Sequence, residues 1–140
     1  VKQTDPYSYH LDGCVFPIDE QNSAIATDLL SDEELRSIAK VTNIVPVDNT
    51  TAKMGGCNSL ILGEHWLNGT VIEDLGKNHQ LFESELHKNT EIERIASEYG
   101  KKAKFFNLGE YLKGGACLSC LVMHLNRKGM TCHGKTGKRS

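Results

Sequence analysis

Apolar residues in this chain come in short runs broken by turn-forming clusters, and the runs predict an ordered series of strands and helices. Tyr7 to Ile18 alternates loosely and holds aromatic and β-branched residues, which predicts a strand ended by Pro17. Asp19-Glu20-Gln21-Asn22 reads as a turn, and Ser23 to Leu29 as a second strand. Ser31-Asp32-Glu33-Glu34 has the form of a capping box, with Ser31 at the N-cap and Glu34 three residues on. Leu35, Ile38, Ala39 and Thr42 follow at the spacing of one helix face. Asn43 to Val47 predicts a third strand, and Pro46 assigns it to a sheet edge or ends it early, because proline cannot donate to the ladder.

The same order recurs. Asn58 to Leu62 is a compact apolar run, and Glu64 to Gly69 reads as a hairpin connection with His65 and Trp66 at its tip. Thr70 to Glu73 predicts the next strand. A helix is expected over 78–99, with Phe82, Leu86, Ile92, Ile95, Ala96 and Tyr99 as its apolar stripe and Gly100 at its C-cap. Ala103 to Leu108 closes the second unit, and Cys117 to Leu125 predicts a lone last strand. The fold class expected is therefore α/β, with two ββαβ units plus a final strand. The two halves share element order and little residue identity, the pattern of a repeat that buries its faces only by stacking. An apolar last strand must also find a neighbour.

Composition narrows the class. With 140 residues, 39% hydrophobic and 24% charged, the chain is the size of one domain with a core of its own. A net charge of −2 supplies no basic stripe for nucleic acid. No apolar run reaches the length of a membrane span and no secretory signal opens the chain, so no membrane partner is expected. Five cysteines, an odd number, argue against a disulfide framework and for a reducing, cytoplasmic setting. Residues 1–127 read as the folded part and 128–140 as a polar, disordered tail carrying Lys135, Lys138 and Arg139. A chain that begins at Val1 fits a processed product or a piece of something longer.

Candidate chemistry gathers at the two ends. Gly114-Gly115-Ala116-Cys117-Leu118-Ser119-Cys120 delivers a thiol at the mouth of an apolar run. His10 and Asp12, two apart on the expected first strand, would share a face. A thiol, an imidazole and a carboxylate are the parts of a nucleophilic thiol site. Imidazolium lowers a thiol pKa, and a carboxylate suits a guanidinium through two hydrogen bonds. Each residue also has a structural reading: Cys117 as a small buried hydrophobe, His10 as a core histidine, Asp12-Gly13 as a turn. Cys117-x-x-Cys120 with Cys132-His133 has the residue types of a zinc or redox site. Residues three apart on a strand face opposite sides, however, so no metal site is expected there. Gly55-Gly56-Cys57-Asn58 precedes a strand as the later glycine pair does, either lining the same cavity or making a tight turn.

Three motifs in this order are His10-Leu11-Asp12, Cys57-Asn58-Ser59-Leu60-Ile61-Leu62-Gly63, and the run from Gly114 to Cys120. Together they resemble the guanidino-group-modifying superfamily, which includes arginine deiminases, amidinotransferases and dimethylarginine dimethylaminohydrolases. The resemblance implies a pentein-like β/α propeller, a ring of five ββαβ units. It implies Cys117 as the nucleophile, with Cys120 the nearby alternative, His10 as general acid/base, and Asp12 as a ligand of the substrate guanidinium. The implied reaction is hydrolysis or amidino transfer on arginine or an arginine derivative through a covalent cysteine adduct, with no metal or organic cofactor. Two units are only part of such a ring, so the chain resembles the C-terminal part of these enzymes. A complementing chain or a homo-oligomer would complete the ring. The alternative is a catalytically silent propeller fragment that serves in binding or assembly.

Overall fold

A computed structural model of the chain describes residues 10–122. The expected polar tail, 128–140, lies outside the described residues. Within them the two-unit α/β plan is present. In the first unit β1 (Val15–Pro17) pairs antiparallel with β2 (Asn22–Ala26), and β2 pairs parallel with β3 (Asn43–Val47). In the second, β4 (Leu60–Leu62) pairs antiparallel with β5 (His65–Thr70), and β5 pairs parallel with β6 (Lys102–Asn107). Each sheet has its middle strand flanked in the same sense, β1-β2-β3 and β4-β5-β6. Pro46 is tolerated because β3 is an edge strand.

Helices make the parallel crossovers. α1 (Asp32–Ile38) starts at the capping box: Glu34 N–H donates to Ser31 Oγ, and Ser31 N–H donates to Glu34 Oε2. α3 (Phe82–Glu98) ends where Gly100 turns the chain with φ of 66°. Two short helices were not foreseen. α2 (Asn49–Lys53) follows β3, and α4 (Gly109–Lys113) follows β6. Asp48 caps α2, accepting from Thr51 N–H and Oγ1–H and facing His87 Nε2 at 3.1 Å. Burial works against the Asp48 carboxylate, but the bonds from Thr51 and His87 outweigh it and hold its pKa below the usual value.

The core runs between the units. Phe16 of β1 and Trp66 of β5 meet with ring centroids 4.9 Å apart, and Val45, Val47, Ile92, Ile95 and Ala96 close around them. Trp66, expected at a hairpin tip, is buried, and its Nε1–H donates to Ser59 Oγ at 2.9 Å. The tip is instead Gly63-Glu64, where Gly63 supplies a φ of 58°, and His65 to Thr70 is the central strand.

Four further expectations are corrected. The strand predicted from Tyr7 is, where described, a 3-10 turn over Leu11–Gly13 followed by β1. The second strand stops at Ala26, and Thr27–Leu29 is a 3-10 turn. The strand expected from Thr70 to Glu73 is β5's last residue and a 3-10 turn at Ile72–Asp74. In place of the last strand, Ser119–Leu121 forms a 3-10 turn, and residues 123–125 lie outside the described part. No helix of the described residues is long and apolar enough to cross a membrane.

Candidate active site

The site is built from two loops that end two equivalent short helices. Gly55, at a φ of 82°, turns the chain out of α2, and Gly56 N–H returns to Thr51 O at 2.8 Å. Gly114 and Gly115, the latter at a φ of 79°, do the same after α4. Both glycine pairs therefore close a helix rather than open a strand. Asn68 on β5 braces the first loop from beneath, its Nδ2 donating to Gly55 O at 3.0 Å and to Ser59 Oγ at 2.8 Å. The second loop passes close above the first: a Cβ on Gly55 would sit 3.5 Å from Cys117 Sγ.

The His10-Leu11-Asp12 motif arrives from the opposite end of the chain. It is a 3-10 turn and not a strand, with Gly13 N–H bonded to His10 O. Cys14, buried at its foot, ties the turn to β2 through Ala26 N–H. The turn meets both loops at the Asp12 carboxylate. Asp12 Oδ2 accepts from Asn58 Nδ2 at 2.9 Å and from Ser119 Oγ at 2.7 Å. The Cys120 thiol lies 3.6 Å from the same oxygen. Asn58 Oδ1 in turn accepts from Ser119 N–H at 2.8 Å.

These residues open on a cavity of about 490 Å³ whose lining includes His10, Asp12, Asn58, Cys117 and Cys120. All three residues singled out in the sequence, Cys117, His10 and Asp12, line it. The far wall is α3, and there the burial pattern departs from the expected apolar stripe. Phe82 is half-buried and Leu86 is exposed, whereas Glu85, Lys88 and Asn89 are buried. Lys88 Nζ donates to Glu85 Oε1 at 2.7 Å and to Gly69 O, and Glu85 Oε1 also accepts from Thr70 Oγ1 and Val71 N–H. Burial pulls the Lys88 pKa down, opposed by Glu85. Glu85 and Lys88 lie outside the expected apolar stripe of this helix, and nothing in their spacing marks them as buried. Only Thr70 and the backbone of Gly69, brought by β5, show that they point inward.

The cysteines divide sharply. Cys57 is enclosed, and burial pushes its thiol up to about 12. Cys117 is half-buried in the cavity. Burial is the main cause that raises its pKa above the usual thiol value; neighbouring Cys120 adds to it and Lys88 opposes it. Among the described residues, no group of three or more His, Cys, Asp and Glu side chains is arranged to hold a metal ion. Cys132 and His133 lie outside the described part.

Comparison with known proteins agrees with the architecture. The ArgZ N-terminal domain bound to product, an arginine dihydrolase domain from the ornithine-ammonia cycle in cyanobacteria, superposes with a TM-score of 0.65 at 20% identity. The superposition covers 84% of this chain and 38% of that domain. AgrE in ternary complex with ornithine and NAD+ gives 0.64 at 18% identity, covering 84% of this chain and 15% of that one. The ArgZ domain is also known as a cysteine-to-serine mutant bound to substrate and, separately, as an asparagine-to-serine variant covalently bonded to a reaction intermediate. The chain thus has the fold of part of these domains, two ββαβ units of a pentein-like β/α propeller. In sequence it is 26% identical over 121 residues to the uncharacterized protein ZK1307.1 of Caenorhabditis elegans, covering 86% of this chain and 38% of that protein. No family model matches. The chain spans well under half the length of these relatives.

Proposed function

We propose that the chain carries the thiol side of a guanidino-modifying active site acting on arginine or an arginine derivative. The observation that carries the reading is one cavity lined by a thiol, an imidazole and a carboxylate drawn from opposite ends of the sequence. Asp12 Oδ2 is committed to Asn58 and Ser119, and among the described residues Oδ1 accepts no hydrogen bond. That oxygen is the acceptor offered to a substrate N–H, and the carboxylate charge suits a guanidinium.

Cys117 is raised in pKa without a ligand, so its resting form is the thiol. A guanidinium held by Asp12 brings a positive charge beside it and favours the thiolate, and the thiol proton passes to His10. The sulfur then adds to the central guanidinium carbon, the C–N bond breaks, and His10 protonates the departing amine. An amidino thioether remains on Cys117. Water, deprotonated by His10, attacks its carbon and the C–S bond breaks, returning the thiol and a ureido product. An acceptor amine in place of water gives amidino transfer. Further ββαβ units, from the longer protein or a second chain, complete the substrate enclosure. A free thiol nucleophile also fits a reducing compartment such as the cytoplasm.

The test is turnover by the full-length protein on arginine, N-methylated arginines and other guanidino compounds, measuring amine, ammonia and ureido product. Cys117→Ser should lower turnover at least roughly a thousandfold. Turnover that survives Cys117→Ser sinks the proposal.

A further inference from the structure

Asn58 is six per cent exposed, lines the cavity, and carries neither a proton-transfer group nor a nucleophile. Its bonds go to both sides of the site. Nδ2 donates to Asp12 Oδ2 across 46 residues of sequence, and Oδ1 accepts from Ser119 N–H across 61. Ser119 closes the triangle, Oγ–H donating to the same Asp12 oxygen at 2.7 Å. The amide is used at both ends, which fixes its orientation: only the nitrogen donates to the carboxylate and only the oxygen accepts from the backbone.

We propose that Asn58 and Ser119 are positioning residues that clamp Asp12 by one carboxylate oxygen, so that the other is presented to a cationic ligand in register with Cys117. The clamp rests on the guanidino reading and adds to it. The turn carrying Asp12 and the turn following Cys117 share no strand pairing among the described residues. Their relative placement therefore depends on the side chains that bridge them. The Asn58 and Ser119 donors on Oδ2, with the Cys120 thiol beside them, also stop the carboxylate from swinging its charge away from the cavity. Asn58 sits in the first loop, at the place where Ser59 and Asn68 already hold the backbone. The first glycine-pair loop thus serves the second: it contributes no reactive thiol, but holds the carboxylate and the thiol-bearing turn together.

Two alkylating reagents isolate this role without turnover. 2-Chloroacetamidine is cationic at neutral pH and mimics a guanidinium; 2-chloroacetamide is its neutral counterpart. In each case the Cys117 sulfur displaces chloride and a thioether forms. The ratio of the two rates, followed by mass spectrometry at Cys117 in the full-length protein, reports how well the carboxylate holds the cation. The wild type should favour the amidine, and Asp12→Asn should abolish that preference. Asn58→Ala and Ser119→Ala should each lower the ratio by roughly tenfold, and Ser119→Thr, which keeps the hydroxyl, should restore it. A purely structural role would slow both reagents alike and leave the ratio unchanged. If Asp12→Asn lowers the ratio while Asn58→Ala and Ser119→Ala do not, the clamp is refuted and the guanidino reading stands. If the wild type shows no preference, or Asp12→Asn leaves it intact, the guanidino reading fails and the clamp with it. Should Asn58→Ala lose its native circular dichroism, the Ser119→Ala and Ser119→Thr pair decides alone.

Discussion

The two units repeat one grammar: two antiparallel strands, a helix, a parallel strand, a five-residue helix, a glycine pair and a cysteine. Their outcomes are opposite. After α2, Gly56 lies against Thr51 so tightly that a Cβ would come within 2.6 Å of its side chain and 2.8 Å of its carbonyl oxygen. The chain is pulled inward, and Cys57 becomes a core residue with a suppressed thiol. After α4, Gly115 has open space around it, and one added residue, Ala116, precedes Cys117. That thiol stops at the cavity wall. The crossover helices differ likewise: α1 has no buried residue, whereas α3 turns a buried ion pair toward the cavity. A glycine pair before a cysteine is thus a way of ending a short helix, and only the surroundings decide whether the cysteine becomes core or chemistry.

The largest effect expected from breaking this contrast lies on α3. Lys88→Met leaves Glu85 as a buried charge without its partner and should cost about 3–5 kcal/mol in chemical denaturation. Lys113→Met, which removes an exposed ion pair with Glu110, should cost about 0–1 kcal/mol. Next comes Gly56→Ala, where the new methyl meets backbone; a loss of about 1–3 kcal/mol is expected by the same measurement. Gly115→Ala meets only its left-handed backbone conformation and should cost about 1–2 kcal/mol, at or below the loss at Gly56. A smaller loss at Gly56 than at Gly115 would show that the two loops are not packed as described.

The smallest effect is a shift in a titration. Iodoacetamide on the native protein should label Cys117 and Cys120 and leave Cys14 and Cys57 until denaturant is added. Because burial, with Cys120 beside it, raises the Cys117 pKa, its labelling rate should still be climbing at a pH where an ordinary cysteine thiol has levelled off. The sign for each neighbour follows from charge. Cys120→Ser removes a potential anion and should move the midpoint down, while Lys88→Met removes a cation and should move it up. A Cys117 midpoint below that of an ordinary cysteine thiol in the ligand-free protein would contradict the description of its surroundings.

Much of the scaffold was legible in the sequence because it rests on local signals. The Ser31 capping box, the edge proline in β3 and Gly100 after α3 each act over a few residues. The failures have tertiary causes. Asn68-Gly69 has the composition of a turn, yet Asn68 lies in the middle of a central strand because the loop beneath α2 offers it partners. Glu85, Lys88 and Asn89 break the apolar stripe of α3 because they satisfy one another and β5. His10 and Asp12 were read on a strand, whereas a 3-10 turn carries them to the cavity. Asn58 was quoted only as part of a motif. Nothing local marks it, since its partners lie 46 and 61 residues away.

The most direct test is to find where carbon is bound during turnover. The full-length protein is mixed with the guanidino compound it consumes fastest, quenched in acid, and mapped by peptide mass spectrometry. An amidino adduct on Cys117 is expected in the wild type and is absent in Cys117→Ser. An adduct on Cys120, or turnover with no cysteine adduct in either protein, would contradict the account.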